Sequence, residues 1–144
     1  MDKCVQCGGR DLTVQSLSDT FVLDGVSITT TAEGLRCGAC GEGYLDLAAA
    51  ESCDRQAAAQ LVRAGVPGRR AFKLVRKHLG YTGAELDALL DVAPETVSRW
   101  ETGEREIPRY ARALLALLAL DQERRRTEIH DVLTAVQKGR PLAA

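Results

Sequence analysis

Residues 82–103, TGAELDALLDVAPETVSRWETG, decide the fold. They divide into two short helical segments separated only by Asp91-Val92-Ala93. Thr82 and Glu85 stand at the spacing at which a hydroxyl and a carboxylate satisfy the free N–H groups of a first helical turn. Pro94 is tolerated at the start of the second helix, and Gly103 stops it. Leu86, Leu89 and Leu90 on the first segment face Val97 and Trp100 on the second as an apolar seam. So short a turn sets the second helix across the first, a helix-turn-helix, and leaves Glu95, Thr96, Ser98 and Arg99 facing outward.

The flanking chain continues in the same helical manner. Before the motif, RRAFKLVRKHLG (69–80) has Phe72, Leu74, Val75 and Leu79 as a buried stripe and ends on Gly80. After it, Pro108 opens a fourth helix, PRYARALLALLAL, and RRRTEIHDVLTAVQKG (124–139) makes a fifth. Residues 69–144 are therefore expected to form one all-helical domain. The run ARALLALLAL (111–120) is more apolar than one helix of a small bundle needs. It and the last helix are expected to build a twofold homodimer.

Toward the N-terminus the character changes. Val66-Pro67-Gly68 breaks the chain after an alanine-rich helix, LAAAESCDRQAAAQLVRAG (47–65), which places a domain boundary after Gly68. Upstream, TFVL (20–23) and VSITTT (26–31) are rich in β-branched residues and joined by Asp24-Gly25, a strong hairpin signal. The hairpin lies between two cysteine pairs, Cys4/Cys7 in MDKCVQCGG and Cys37/Cys40 in LRCGACGEGYLD, with 29 residues separating them. Fold class is thus α+β: a small β-hairpin ribbon with a connecting helix (1–68), then five helices (69–144).

A Cys-x-x-Cys turn lets two sulfurs bind one ion, and the glycines after each pair, Gly8-Gly9 and Gly41, permit that turn. Two such turns complete a tetrahedral sulfur shell suited to one structural Zn²⁺ per chain. With four ligands no coordination position is open, which argues against a catalytic metal. A domain this small has little core, so the metal would supply much of its folding free energy. The alternatives are a redox dithiol, which needs only one pair at a strand-to-helix junction, and ordinary buried cysteines. The spacer is longer than the usual 15 to 20 residues. Cys53 reads as a buried apolar residue, and His78 and His130 as ordinary helical side chains.

Composition narrows the function. The chain has 144 residues, with 45% apolar and 27% charged residues, and its longest apolar patch is far short of a membrane span. The start carries no cationic stretch leading into an apolar core, so a reducing cytoplasm is expected and disulfides are not. No nucleophile–base constellation or phosphate-cradling glycine loop is visible, so an enzyme is not expected. The near-neutral net charge of −1 hides an asymmetry: residues 1–68 carry five Lys/Arg and nine Asp/Glu, residues 69–144 fourteen and eleven. The second half suits an anionic partner, and its helix-turn-helix has the geometry that enters a DNA major groove. Arg99 is the foremost candidate to read a base, by two parallel bonds to guanine, with Glu95, Thr96 and Ser98 beside it. Thr82, Arg69, Arg70 and Lys73 are the candidates to hold phosphates.

SRWETGEREIP (98–108) resembles the signature of Xre/Cro-type helix-turn-helix repressors. The first seventy residues resemble the YgiT-type zinc finger, through Cys4, Cys7, Asp24-Gly25 and CGACGE. Together they resemble the MqsA-type antitoxins of bacterial type II toxin-antitoxin systems. The resemblance implies an N-terminal zinc domain that binds a toxin and a helical domain that dimerises and represses its own operon at a palindromic site. It also places the family's recognition arginine on Arg99. Gly83, Asp87, Asp91 and Glu95 depart from the common pattern: Asp87 stands where alanine is usual, and Asp91 replaces a turn glycine. A solitary zinc-containing regulator without a toxin, and a thiol redox sensor or oxidoreductase, are the competing readings.

Overall fold

The computed structural model describes residues 1–139 and Pro141. In chain order the elements are β1 (Leu12–Leu23), β2 (Val26–Cys37), β3 (Gly43–Tyr44), α1 (Leu47–Arg63), α2 (Arg69–His78), α3 (Gly83–Leu89), α4 (Thr96–Thr102), α5 (Arg109–Glu123) and α6 (Glu128–Lys138). The class is α+β, with a cysteine-bearing hairpin ahead of the helices. Residue contacts divide the chain into Met1–Val22 with Ser27–Ala57, and Leu23–Val26 with the residues from Ala58 onward.

The first unit is a three-stranded sheet in the order β1-β2-β3, with Leu35 opposite Tyr44 and Arg36 opposite Gly43 in the antiparallel β2–β3 pair. The turn between β1 and β2 has Asp24 at φ 49° and Gly25 at φ 80°. Positive φ at both central positions is what a two-residue hairpin loop requires. Gln56 of α1 gives β2 a surrogate strand partner: its side chain accepts from the Thr31 N–H at 2.9 Å and donates to the Thr31 carbonyl at 2.8 Å. The N-terminus of α1 is capped by Asp46, which accepts from the Ala49 N–H at 2.8 Å. Little of this unit is buried: Cys4, Ile28, Cys37 and Ala57 among apolar side chains, and Thr30 among polar ones. A core that thin does not account for a fixed fold.

The second unit has a core of ordinary density. Leu61, Val66, Phe72, Val75, Leu86, Val97 and Leu115 are essentially inaccessible, and Phe72 meets Trp100 edge-on at 5.9 Å and 85°. Helix α2 packs on α4 and α5, α3 on α4, and α6 on α3 and α5. Within the predicted stripe of α2, Phe72 and Val75 are buried while Leu74 and Leu79 are half-buried; Ala71 and Arg76 are buried instead. Arg76 is tolerated there because each of its three guanidinium nitrogens has a partner. Its Nε and Nη2 reach the Glu101 carboxylate of α4 at 2.5 and 3.1 Å, and its Nη1 donates to the Tyr81 carbonyl at 2.7 Å. The turn residue Asp24 caps α2, accepting from the Ala71 N–H at 2.7 Å. A Cβ on Gly68 would come within 2.6 Å of that carboxyl, so glycine is needed there.

Two sequence expectations shift. The helix expected to start at Pro94 starts at Thr96, because Glu95 adopts a left-handed conformation at φ 67°. A short strand, β3, follows the second cysteine pair, where none was expected.

Candidate metal centre and recognition helix

The two cysteine turns are built alike. The Gly8 N–H donates to the Cys4 carbonyl at 2.8 Å, and the Gly41 N–H donates to the Cys37 carbonyl at 2.8 Å. Both glycines have positive φ, 75° and 78°. Each turn thereby wraps its first cysteine under its second, and the β1–β2 hairpin carries Cys37 back to the start of the chain. The four sulfurs lie within 4.8 Å of one another, Cys4 to Cys40 at 3.6 Å and Cys7 to Cys37 at 3.7 Å. A tetrahedron with metal–sulfur bonds of about 2.3 Å has edges of about 3.8 Å. Spacing, donor set and number all fit one structural Zn²⁺, held by Cys4, Cys7, Cys37 and Cys40. All five cysteines are free thiols, and Cys53 is half-buried on α1.

A residue the sequence reading missed completes the centre. Tyr44 on β3 places its hydroxyl 3.0 Å from the Cys4 sulfur and accepts from the Gln6 N–H at 3.3 Å. A Cys4 thiolate has no proton to give, so in the ionised state the phenol is the donor to the sulfur. That hydrogen bond draws the Cys4 thiol down to about 6. Cys40 behaves oppositely: the Glu42 N–H favours its thiolate, but the neighbouring Cys7 sulfur, burial and the remaining sulfurs push it up to about 12. Four thiolates at this spacing repel, and a divalent cation is what allows them to coexist. The signal in the sequence was the aromatic residue placed just after CGEG.

In the helical unit, Thr82 caps α3, its hydroxyl oxygen accepting from the Glu85 N–H at 3.1 Å. Asp91 takes the left-handed conformation, φ 55°, in the turn. Because Glu95 is left-handed too, it offers α4 no side-chain cap. Asp87 of α3 supplies one instead: its buried carboxylate accepts from the Glu95 N–H at 3.0 Å and the Val97 N–H at 2.8 Å. Those amides would otherwise be unsatisfied at the helix end, and a negative charge suits that end.

The residues expected to meet DNA fall in several places. Arg99 has a side chain 37% exposed, loosely paired with Glu95 at 3.8 Å and Glu104 at 3.7 Å. Glu95 and Ser98 are exposed beside it. Thr96 is buried, and its hydroxyl donates to the Ala93 carbonyl at 2.5 Å, so it shapes the turn. Thr82, Arg70 and Lys73 are exposed. Arg69 is exposed as well, but its Nη1 donates to the Thr102 carbonyl at 3.1 Å, at the C-terminal end of α4. Among the described residues no helix is long and apolar enough to cross a membrane.

Compared with known families, residues 2–127 match the family model described as the antitoxin component of bacterial toxin-antitoxin systems, MqsA. No curated protein matches the chain.

Proposed function

The chain belongs to the MqsA antitoxin family, and from that premise we propose that it is a sequence-specific DNA-binding repressor of its own operon as well as the antitoxin of a toxin-antitoxin pair. The single observation that carries the DNA-binding reading is the arrangement of α4. Its N-terminal amides are tied down by Asp87, its inner face is held by Val97, Trp100 and the Arg76–Glu101 pair, and its outer face presents Arg99, Glu95 and Ser98. A helix fixed on one face and polar on the other suits insertion into a major groove.

In this reading Arg99 leaves its loose carboxylate partners for a guanine edge, Glu95 accepts from a cytosine amino group, and Ser98 contacts either. Thr82, Arg70, Lys73 and the Arg69 segment hold phosphates. Thr96 acts through the turn. Two chains pair through α5 and α6, placing two recognition helices about 34 Å apart on a palindromic operator. Support for that pairing comes from Tyr110, Leu117, Val132 and Val136, large apolar side chains exposed on these two helices, and from α6 burying none of its residues. The zinc-bearing unit would engage the toxin in the cytoplasm, with the metal structural and the chain a binding protein rather than an enzyme.

Gel-shift titration of the DNA upstream of the chain's own gene tests the repressor reading. Arg99→Ala should cost about 1 to 3 kcal/mol at one base pair of each half-site and relax preference there, with zinc content and melting unchanged. Operator affinity indifferent to Arg99→Ala would remove the docking. Co-purification with the product of the neighbouring gene separates the antitoxin from a solitary regulator. A thiol redox role requires sulfurs that are free of metal or that release it on oxidation to a disulfide, so one tightly held zinc per chain, lost only on denaturation or thiol modification, would exclude it.

A further inference from the structure

A cleft of about 340 Å³ lies inside the helical unit, where the start of α2, the end of α4 with its following loop, and the first part of α5 converge. Its polar lining is three guanidinium groups, Arg69, Arg105 and Arg112, against one carboxylate, Glu106, with Trp100 and Ile107 among its apolar lining. Arg69 is fixed there: it donates to the Thr102 carbonyl, and its Nη1 occupies space that a Cβ on Gly103 would enter at 1.8 Å. Arg112 is the unresolved member. Its Nε is buried and has no hydrogen-bond partner. An unsatisfied buried donor on a charged group is costly, and native folds retain few of them.

Cationic surplus, a pinned guanidinium, an unpaired buried N–H and apolar lining are together the makings of an anion site. Guanidinium forks match tetrahedral oxyanions by paired bonds, and low-dielectric surroundings strengthen each one. The surplus of two positive charges suits a phosphate oxyanion, a monoester carrying up to two negative charges or a backbone diester carrying one. We propose that this cleft binds a phosphate group on the guanidinium groups of Arg105 and Arg112 with Arg69 supplying further charge, the buried Arg112 Nε–H gaining its partner as that side chain turns toward the anion. The phosphate can belong to a small phosphorylated ligand or to the DNA backbone. These sources share one recognition chemistry and differ in what accompanies binding.

The test uses the full-length, zinc-loaded chain and inorganic phosphate as probe, followed by ¹⁵N-resolved NMR. Saturable shifts at the amides of Gly103, Arg105 and Ile107 and at the Arg112 Nε–H are expected, with Arg112→Gln weakening binding about tenfold. Arg105 is exposed, so Arg105→Gln serves as the second variant if Arg112→Gln lowers the melting temperature. Saturation by free phosphate with DNA affinity unaltered in both variants assigns a small-molecule ligand. Absent saturation by free phosphate, but with a salt dependence of DNA binding reduced by about one ion per variant, the phosphate is the backbone's. Shifts that never saturate and ignore both substitutions, together with an unchanged salt dependence, overturn the proposal. The free-phosphate arm needs no DNA, so it stands or falls separately from the repressor reading.

Discussion

Asp87 shows how one side chain can carry an element. In an isolated helix an aspartate between Leu86 and Ala88 is a poor choice, and nothing about its position reads as capping. It is nonetheless buried, at 5% exposure, because both carboxylate oxygens are engaged by the amides of Glu95 and Val97. Asp87→Ala strands those amides in the interior and is expected to destabilise the helical unit by about 1 to 3 kcal/mol. Thermal denaturation would register this as a lower midpoint, and amide exchange at residues 95–97 should accelerate more than at α5. An unshifted midpoint would mean that water replaces the carboxylate at no cost. Tyr44 plays a comparable part at the metal. Tyr44→Phe keeps the ring but removes the proton aimed at Cys4, and removal of such an outer-shell partner typically costs 10- to 100-fold in metal affinity. Competition against a chromogenic chelator measures that loss, while circular dichroism of the loaded variant should be unchanged. Equal zinc affinity in Tyr44→Phe would reduce the hydroxyl to a packing role.

At the scale of elements, what the sequence disclosed and what it concealed follow from range of interaction. The Thr82 cap, the Asp24-Gly25 turn, the Gly65, Gly80 and Gly103 stops and the cysteine turns are local, set within a few residues, and each appears in the structure. The start of α4 is not legible locally, because the proline at 94 signals a helix start while the left-handed Glu95 is stabilised by Asp87 eight residues away. Thr96 faces inward because it stands four residues before Trp100 and shares that residue's buried face. Likewise β3 and Tyr44 depend on pairing with Leu35 and Arg36, across the second cysteine turn. Helix α6 presents the opposite case, an apolar pattern that the single chain uses only in part, packing on α3 and α5 while leaving its valines exposed. Val136 is 74% exposed and Val132 41%. If they are buried by a second copy, Val136→Glu should dissociate the dimer, which light scattering after gel filtration reads as half the mass. The variant's melting temperature should also become independent of protein concentration. A wild-type chain that is already monomeric at micromolar concentration would remove the twofold operator from the functional reading.

For the whole molecule, the decisive contrast is between two ways of being stable. The helical unit closes a core on Phe72, Trp100, Leu86 and Leu115, while the hairpin unit buries Ile28 and Ala57 and little else that is apolar beyond its own ligands Cys4 and Cys37. Apolar burial at roughly 25 cal/mol per Å² cannot offset the ordering of some fifty residues on so few side chains. Four sulfurs on one ion can, because metal binding to an unformed site is folding free energy. Removing zinc with a strong chelator, or replacing Cys37 by serine, should therefore melt β1–β3 and leave the helical unit cooperative. The expected record is loss of dispersed strand amide signals between residues 12 and 44 beside a retained, single thermal transition for residues 69–139. The same samples should keep any operator affinity that resides in α4 while losing any toxin capture that resides in the hairpin unit. Simultaneous loss of both transitions would show that the folding boundary is not where the expected division after Gly68 puts it, and that the metal supports the helices as well.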